Sequence, residues 1–184
     1  MHERLENISR KHQTPYGCHG YEHTEHVIQT CKVLGKALNA DMDILIPAAI
    51  LHDIGRGNDN HAYYGAQMAR DILIKQGYPK IDEIVHAIEV HSFSAGGEAK
   101  TIEAKILSDA DKLDAMGALG IYRASMYSVE HSRPQEDFIA HFHEKLLRLK
   151  DLLYTDEAKK MAEKRHKYME NYLVQLDKEL KGLS

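Results

Sequence analysis

The stretch ILIPAAIL, residues 44–51, is apolar on every side, and this limits where it can sit in any fold. A helix without a polar face belongs in the middle of a protein, with other elements packed around it. Asp41-Met42-Asp43 precedes the stretch and offers an N-cap. His52-Asp53 follows it without a break, and Gly55 and Gly57 end the helix just beyond. Burying an ionised carboxylate is costly unless a charge or hydrogen bonds compensate it. A divalent metal is the most economical partner for a neutral imidazole and a carboxylate together. The simpler reading of the dipeptide alone is a partly exposed helix end, with the histidine complementing the helix dipole and the aspartate solvated.

The rest of the chain also reads as helix. Sustained period-two alternation is missing, as are hairpin dipeptides between β-branched runs. The pattern predicts a short helix over 2–12 and a longer one over 22–38, where Val27, Cys31, Leu34, Ala37 and Leu38 recur at three and four. Asn60 is placed to cap a helix from His61 to Lys75, stopped by Gly77 and Pro79. Ile81, Ile84, Val85 and Ile88 mark a helix ending near Ser92, and SAGGEAKT, 94–101, reads as a loop. Residues 102–129 predict one or two helices rich in Ala and Gly. Pro134 suits the first turn of a helix to Leu153, and Thr155 caps a long charged final helix. The fold class expected is all-α, a single domain over 1–184, with C-terminal helices at about 134–181 and no internal repeat or linker.

Composition removes several function classes. A net charge of -4 argues against an electrostatic nucleic-acid binder, as does the pI near 6.3. No stretch approaches the roughly 20 apolar residues of a membrane span. The N-terminus, MHERLENISRKH, lacks the apolar core of a signal peptide. Two cysteines, Cys18 and Cys31, form no disulfide framework and are expected as reduced thiols in a cytoplasmic protein. Against this ordinary background the chain carries 13 histidines, and their placement is the question.

Besides HAYYGAQMA at 61–69, three other segments repeat the His-and-Asp theme. EHTEHV, 22–27, opens the second helix, with His26 at its polar margin. ILSDADKLDAMGALG, 106–120, sets Asp109, Asp111 and Asp114 among small apolar residues, where carboxylates would repel one another without a cation. AIEVHSF, 87–93, ends in another histidine region. Histidine and aspartate from three helices make a nitrogen and oxygen set, which suits Mn, Fe, Co, Ni or Mg better than structural zinc.

The order His26, His52-Asp53, Asp111, with the phrases AAILHDIG and SDADKLDAMGALGIYRA, resembles the HD-domain phosphohydrolase superfamily, in particular its small single-domain bacterial and archaeal members. The likeness covers about residues 22–124. It implies an all-helical fold holding a divalent metal on His26, His52, Asp53 and Asp111. His61 and His91 are similar to the extra histidines of two-metal members, so one or two ions per chain are expected. The likeness implies a metal-dependent phosphohydrolase acting on a nucleotide or similar small phosphate, with water attacking phosphorus. Asp53 is central to the site. Arg56 and Lys112 are the candidate cations for the phosphoryl oxygens. His23 is read as a supporting or exposed residue, Asp109 as a helix-start cap, and Asp114 as a hydrogen-bond acceptor beside the ligand. Gln29 stands where many relatives carry arginine. The rival functions are a di-iron oxygenase on the same fold and a nucleotide-binding signalling module without turnover. Oligomeric state is not legible.

Overall fold

The computed structural model describes residues 2–92 and 97–183, and all regular structure among them is helical. The chain divides into two compact units, residues 1–111 and 112–184. The predicted loop at 94–101 is seen as non-helical chain over 97–100, while 94–96 lie outside the described residues.

The first unit contains α1 (His2–His12), α2 (Tyr21–Ala37), α3 (Met42–Leu51), α4 (His61–Lys75), α5 (Ile81–Glu89) and most of α6 (Ile102–Asp114). As its composition requires, α3 is the hub: every residue from Ile44 to Leu51 is buried, and α1, α2 and α5 pack on it. The predicted caps form, with Asp41 accepting from the Asp43 N–H and Asn60 from the Tyr63 N–H.

The C-terminus of α3 is where the fold prepares a site. The last carbonyls of a helix have no partner within it and must find one elsewhere. Here the Ile50 carbonyl accepts from Ser9 Oγ at 2.7 Å, which ties α1 to this end of the hub. The Ala49 carbonyl accepts from the His52 ring at 2.8 Å, and that of Leu51 from the Ile54 N–H. The turn that follows runs hard against the start of α4. A Cβ built on Gly55 would lie 2.4 Å from the Gly65 nitrogen and 2.4 Å from the His61 carbonyl oxygen. Only glycine permits that approach, and it brings His61 toward His52-Asp53.

The second unit comprises the last residues of α6, α7 (Gly117–Glu130), α8 (Gln135–Glu144), a 3₁₀ segment (Leu146–Leu152) and α9 (Asp156–Leu180). The small-residue region is broken into α6 and α7 because Met116 is extended and Gly117 takes φ +72°, which L side chains rarely adopt. The helix expected from 134 to 153 also breaks, at Lys145, where φ and ψ of -132° and -61° leave the helical region. The chain then tightens into 3₁₀ geometry so that Leu146 and Leu149 are buried. Thr155 caps α9 by accepting from the Ala158 N–H. Asp114 pairs with Arg123 at 2.8 Å. No helix among the described residues is long and apolar enough to cross a membrane.

Candidate metal centre

Five helices of the first unit deliver side chains to one place, four of them from or just beyond a helix end. His23 comes from the first turn of α2, His52-Asp53 from the end of α3, His61 from the start of α4 and His91 from just past α5; Asp111 sits in α6. Asp53 is the centre, with its side chain 1% exposed. Its Oδ2 lies 3.8 Å from His23 Nε2 and 3.9 Å from His52 Nε2. Its Oδ1 lies 3.8 Å from His61 Nε2 and 3.9 Å from His91 Nε2. Among the described residues two groups able to hold an ion result, His23 with His52 and Asp53, and Asp53 with His61 and His91, each with its donor atoms within 4.8 Å of one another. Asp111 joins the first through its Oδ1, 3.2 Å from His23 Nε2.

The backbone fixes the tautomers. A carbonyl can only accept, so the ring nitrogen facing it carries the proton. His52 Nδ1 donates to the Ala49 carbonyl, and His91 Nδ1 donates to that of Ile88 at 2.6 Å. Both are contacts to the carbonyl three residues back, made where a helix runs out of N–H donors. Each leaves Nε2 with a lone pair: that of His52 faces His23 Nε2 at 3.2 Å, and His91 Nε2 lies 3.9 Å from Asp53 Oδ1. Burial pushes His52 down, and pushes His91 and His61 down to about 4, so all three are neutral near pH 7. The Nε2 atoms of His61 and His91 are buried and have no hydrogen-bond partner among the described residues. Buried polar atoms rarely go unsatisfied, and here the two orphaned ring nitrogens converge beside a carboxylate. This donor set fits a divalent cation.

Asp53 itself is held ionised. Burial alone would raise its pKa, but His52, Arg56, His23 and His91 outweigh this and hold it well below the usual carboxylate range. Asp111 is likewise depressed against burial, chiefly by its hydrogen bond to His23.

One residue expected as a ligand lies outside the cluster. His23, not His26, turns into the cluster; it is buried, whereas His26 is half-buried on another part of the α2 surface. Residues three apart on a helix differ by about 60° in direction, enough to take one ring out of a site that holds the other. Asp109 is no helix-start cap: it lies fully buried in the middle of α6. Asp114 pairs with Arg123, both in the second unit. Arg56 grips Asp53 with its guanidinium, and Lys112 belongs to the second unit, with Nζ 5.5 Å above the Tyr154 ring. His23→Ala is therefore expected to weaken Mn binding by more than the roughly 10–100-fold that loss of a ligand's supporting partner costs. His26→Ala should leave it unchanged, both read by titration calorimetry on metal-free protein.

Sequence kinship agrees with this geometry. The family described as HD domain matches residues 20–116, more than half of the sequence. The chain belongs to the HD domain family. It is 35% identical over 176 residues to the uncharacterized protein YpgQ of Bacillus subtilis, covering 90% of this chain and 86% of that one. The structure of Bacillus subtilis YpgQ in complex with ADP superposes with a TM-score of 0.83, at 30% identity over 100% of both chains. An HD-superfamily hydrolase from Bacillus thuringiensis gives a TM-score of 0.69 at 34% identity, over 88% of this chain and 86% of that one. The protein is a metal-dependent hydrolase of this family, and its clustered His and Asp side chains are groups that could hold a metal ion.

Proposed function

We propose that this HD domain protein hydrolyses a phosphoester or phosphoanhydride bond of a nucleotide or a related small phosphate. The observation that carries this reading is the pair of His/Asp groups sharing Asp53, in which the backbone keeps the proton of His52 and of His91 on Nδ1 and leaves their Nε2 atoms free of it. His23, His52, Asp53 and Asp111 would hold one ion, and His61 and His91 with Asp53 a second. A divalent ion would supply Lewis acidity there, lowering the pKa of bound water toward neutrality and countering charge on phosphoryl oxygens. The chain's own part is to fix the imidazoles through helix-end carbonyls and to keep Asp53 ionised. Arg56 is the cation proposed to face the phosphoryl group, whose transfer depends on positioning and charge neutralisation more than on covalent help. The ADP held by the Bacillus subtilis relative supports a nucleotide as the ligand class. Cys18 and Cys31, both buried and joined in no disulfide, fit a reducing, cytoplasmic setting.

The test is a panel of nucleoside mono-, di- and triphosphates incubated with Mn, assayed for phosphate and pyrophosphate, before and after chelation. Release that stops on chelation and returns with Mn is expected, and the preferred substrate would define the bond cleaved. Silence across the panel, with a mixed-valent iron signal in the purified protein, would replace the hydrolysis of phosphates by di-iron oxygenase chemistry.

A further inference from the structure

Asp53 has a third suitor besides the two histidine pairs. Arg56 Nη2 donates to Oδ1 at 2.7 Å and to Oδ2 at 2.8 Å, and Nε donates to Oδ2 at 3.1 Å. Both carboxylate oxygens that face the imidazole lone pairs are thus engaged by a guanidinium. Arg56 is a permanently charged partner that reaches Asp53. A carboxylate 1% exposed needs such a partner in the metal-free protein.

The same guanidinium is out of place once a dication shares those oxygens. Two like charges around one buried carboxylate repel strongly where water is excluded. Arg56 has somewhere to go: it is 30% exposed and stands in the turn between Gly55 and Gly57, not in a helix.

We infer that Arg56 is an exchangeable counterion, which holds Asp53 in the metal-free protein, competes with the divalent cation for it, and is freed on metal loading to face the phosphate. This rests on the reading of the cluster as a metal site for phosphate hydrolysis and adds an order to it: the cation that meets the substrate becomes available only when the metal is in place.

The experiment is Mn binding to metal-free protein by titration calorimetry, with thermal melts in parallel, for wild type, Arg56→Gln and Arg56→Lys. Losing a competing charged pair is expected to tighten Mn binding roughly tenfold or more in Arg56→Gln. The metal-free variant should melt lower by about 5 °C or more, and saturating Mn should close that gap. Arg56→Lys, which keeps the charge but not the fork, should fall between and guards against a Gln variant that fails to fold. Mn bound equally or less tightly by both variants would overturn the counterion role while leaving the metal site standing. A wild type that binds no Mn would remove both.

Discussion

Asp53→Asn is expected to reduce metal-dependent hydrolysis by at least roughly 10³-fold. The substitution keeps the shape of the side chain and changes only what its two outer atoms can do. One pair of imidazole nitrogens, His23 and His52, faces Oδ2, and the other, His61 and His91, faces Oδ1. In whichever orientation the amide settles, its NH₂ confronts one of these pairs, and the negative charge is lost to both. A one-ion enzyme and a two-ion enzyme are therefore both disabled. The fold should survive, because Arg56 can turn to water from its partly exposed position. The check is activity together with Mn-induced thermal stabilisation; a folded Asn variant that still turns over in a chelator-sensitive way would remove Asp53 from the centre of the reaction.

The second large effect is expected from a residue that touches no ligand. Gly55→Ala would drive a methyl group to 2.4 Å from backbone atoms of both Gly65 and His61. Backbone cannot rotate aside as a side chain can, so the turn after α3 and the start of α4 must separate. A loss of ~3 kcal/mol is expected from such overpacking, equivalent to roughly 10 °C in melting temperature for a chain of this size. Gly65→Ala probes the same contact from the other side. Its Cβ would lie 3.3 Å from the Gly55 nitrogen, a contact that a few tenths of an ångström relieves. Its cost should be much the smaller of the two. Equal melting temperatures for the two variants would show that the approach is not tight.

Much of the fold is legible in the residues alone. The apolar stretch at 44–51 requires a central helix, and α3 is fully buried as that reading demands. The caps at Asp41, Asn60 and Thr155 declare themselves because short polar side chains before apolar periodic segments have few other uses. The break at Lys145 is hidden, since nothing in FHEKLLRLK forbids a helix; burial of Leu146 and Leu149 makes the choice. His23 is more instructive. It precedes Val27, Cys31 and Leu34 by steps of four, four and three, and so shares the buried stripe of α2, whereas His26 lies off it. Motif likeness points to the ring that stays outside the cluster, and periodicity carries the better signal. The grip of Arg56 on Asp53 cannot be read at all, because a spacing of three says that two side chains are near and not which way a turn will aim them.

The way His52 and His91 are oriented has a consequence for motion. Each ring is steered by a hydrogen bond to a carbonyl in the last turn of its helix, and last turns are the parts of helices that fray. Every transient unwinding at the end of α3 or α5 releases an imidazole and scrambles the donor set. An ion held by His52 and His91 would keep both rings in place, and its binding would then damp the unwinding of two separate helices at once. Amide hydrogens around Ala49–Asp53 and Ile88–His91 would then exchange with solvent at rates set by how long the ion stays bound.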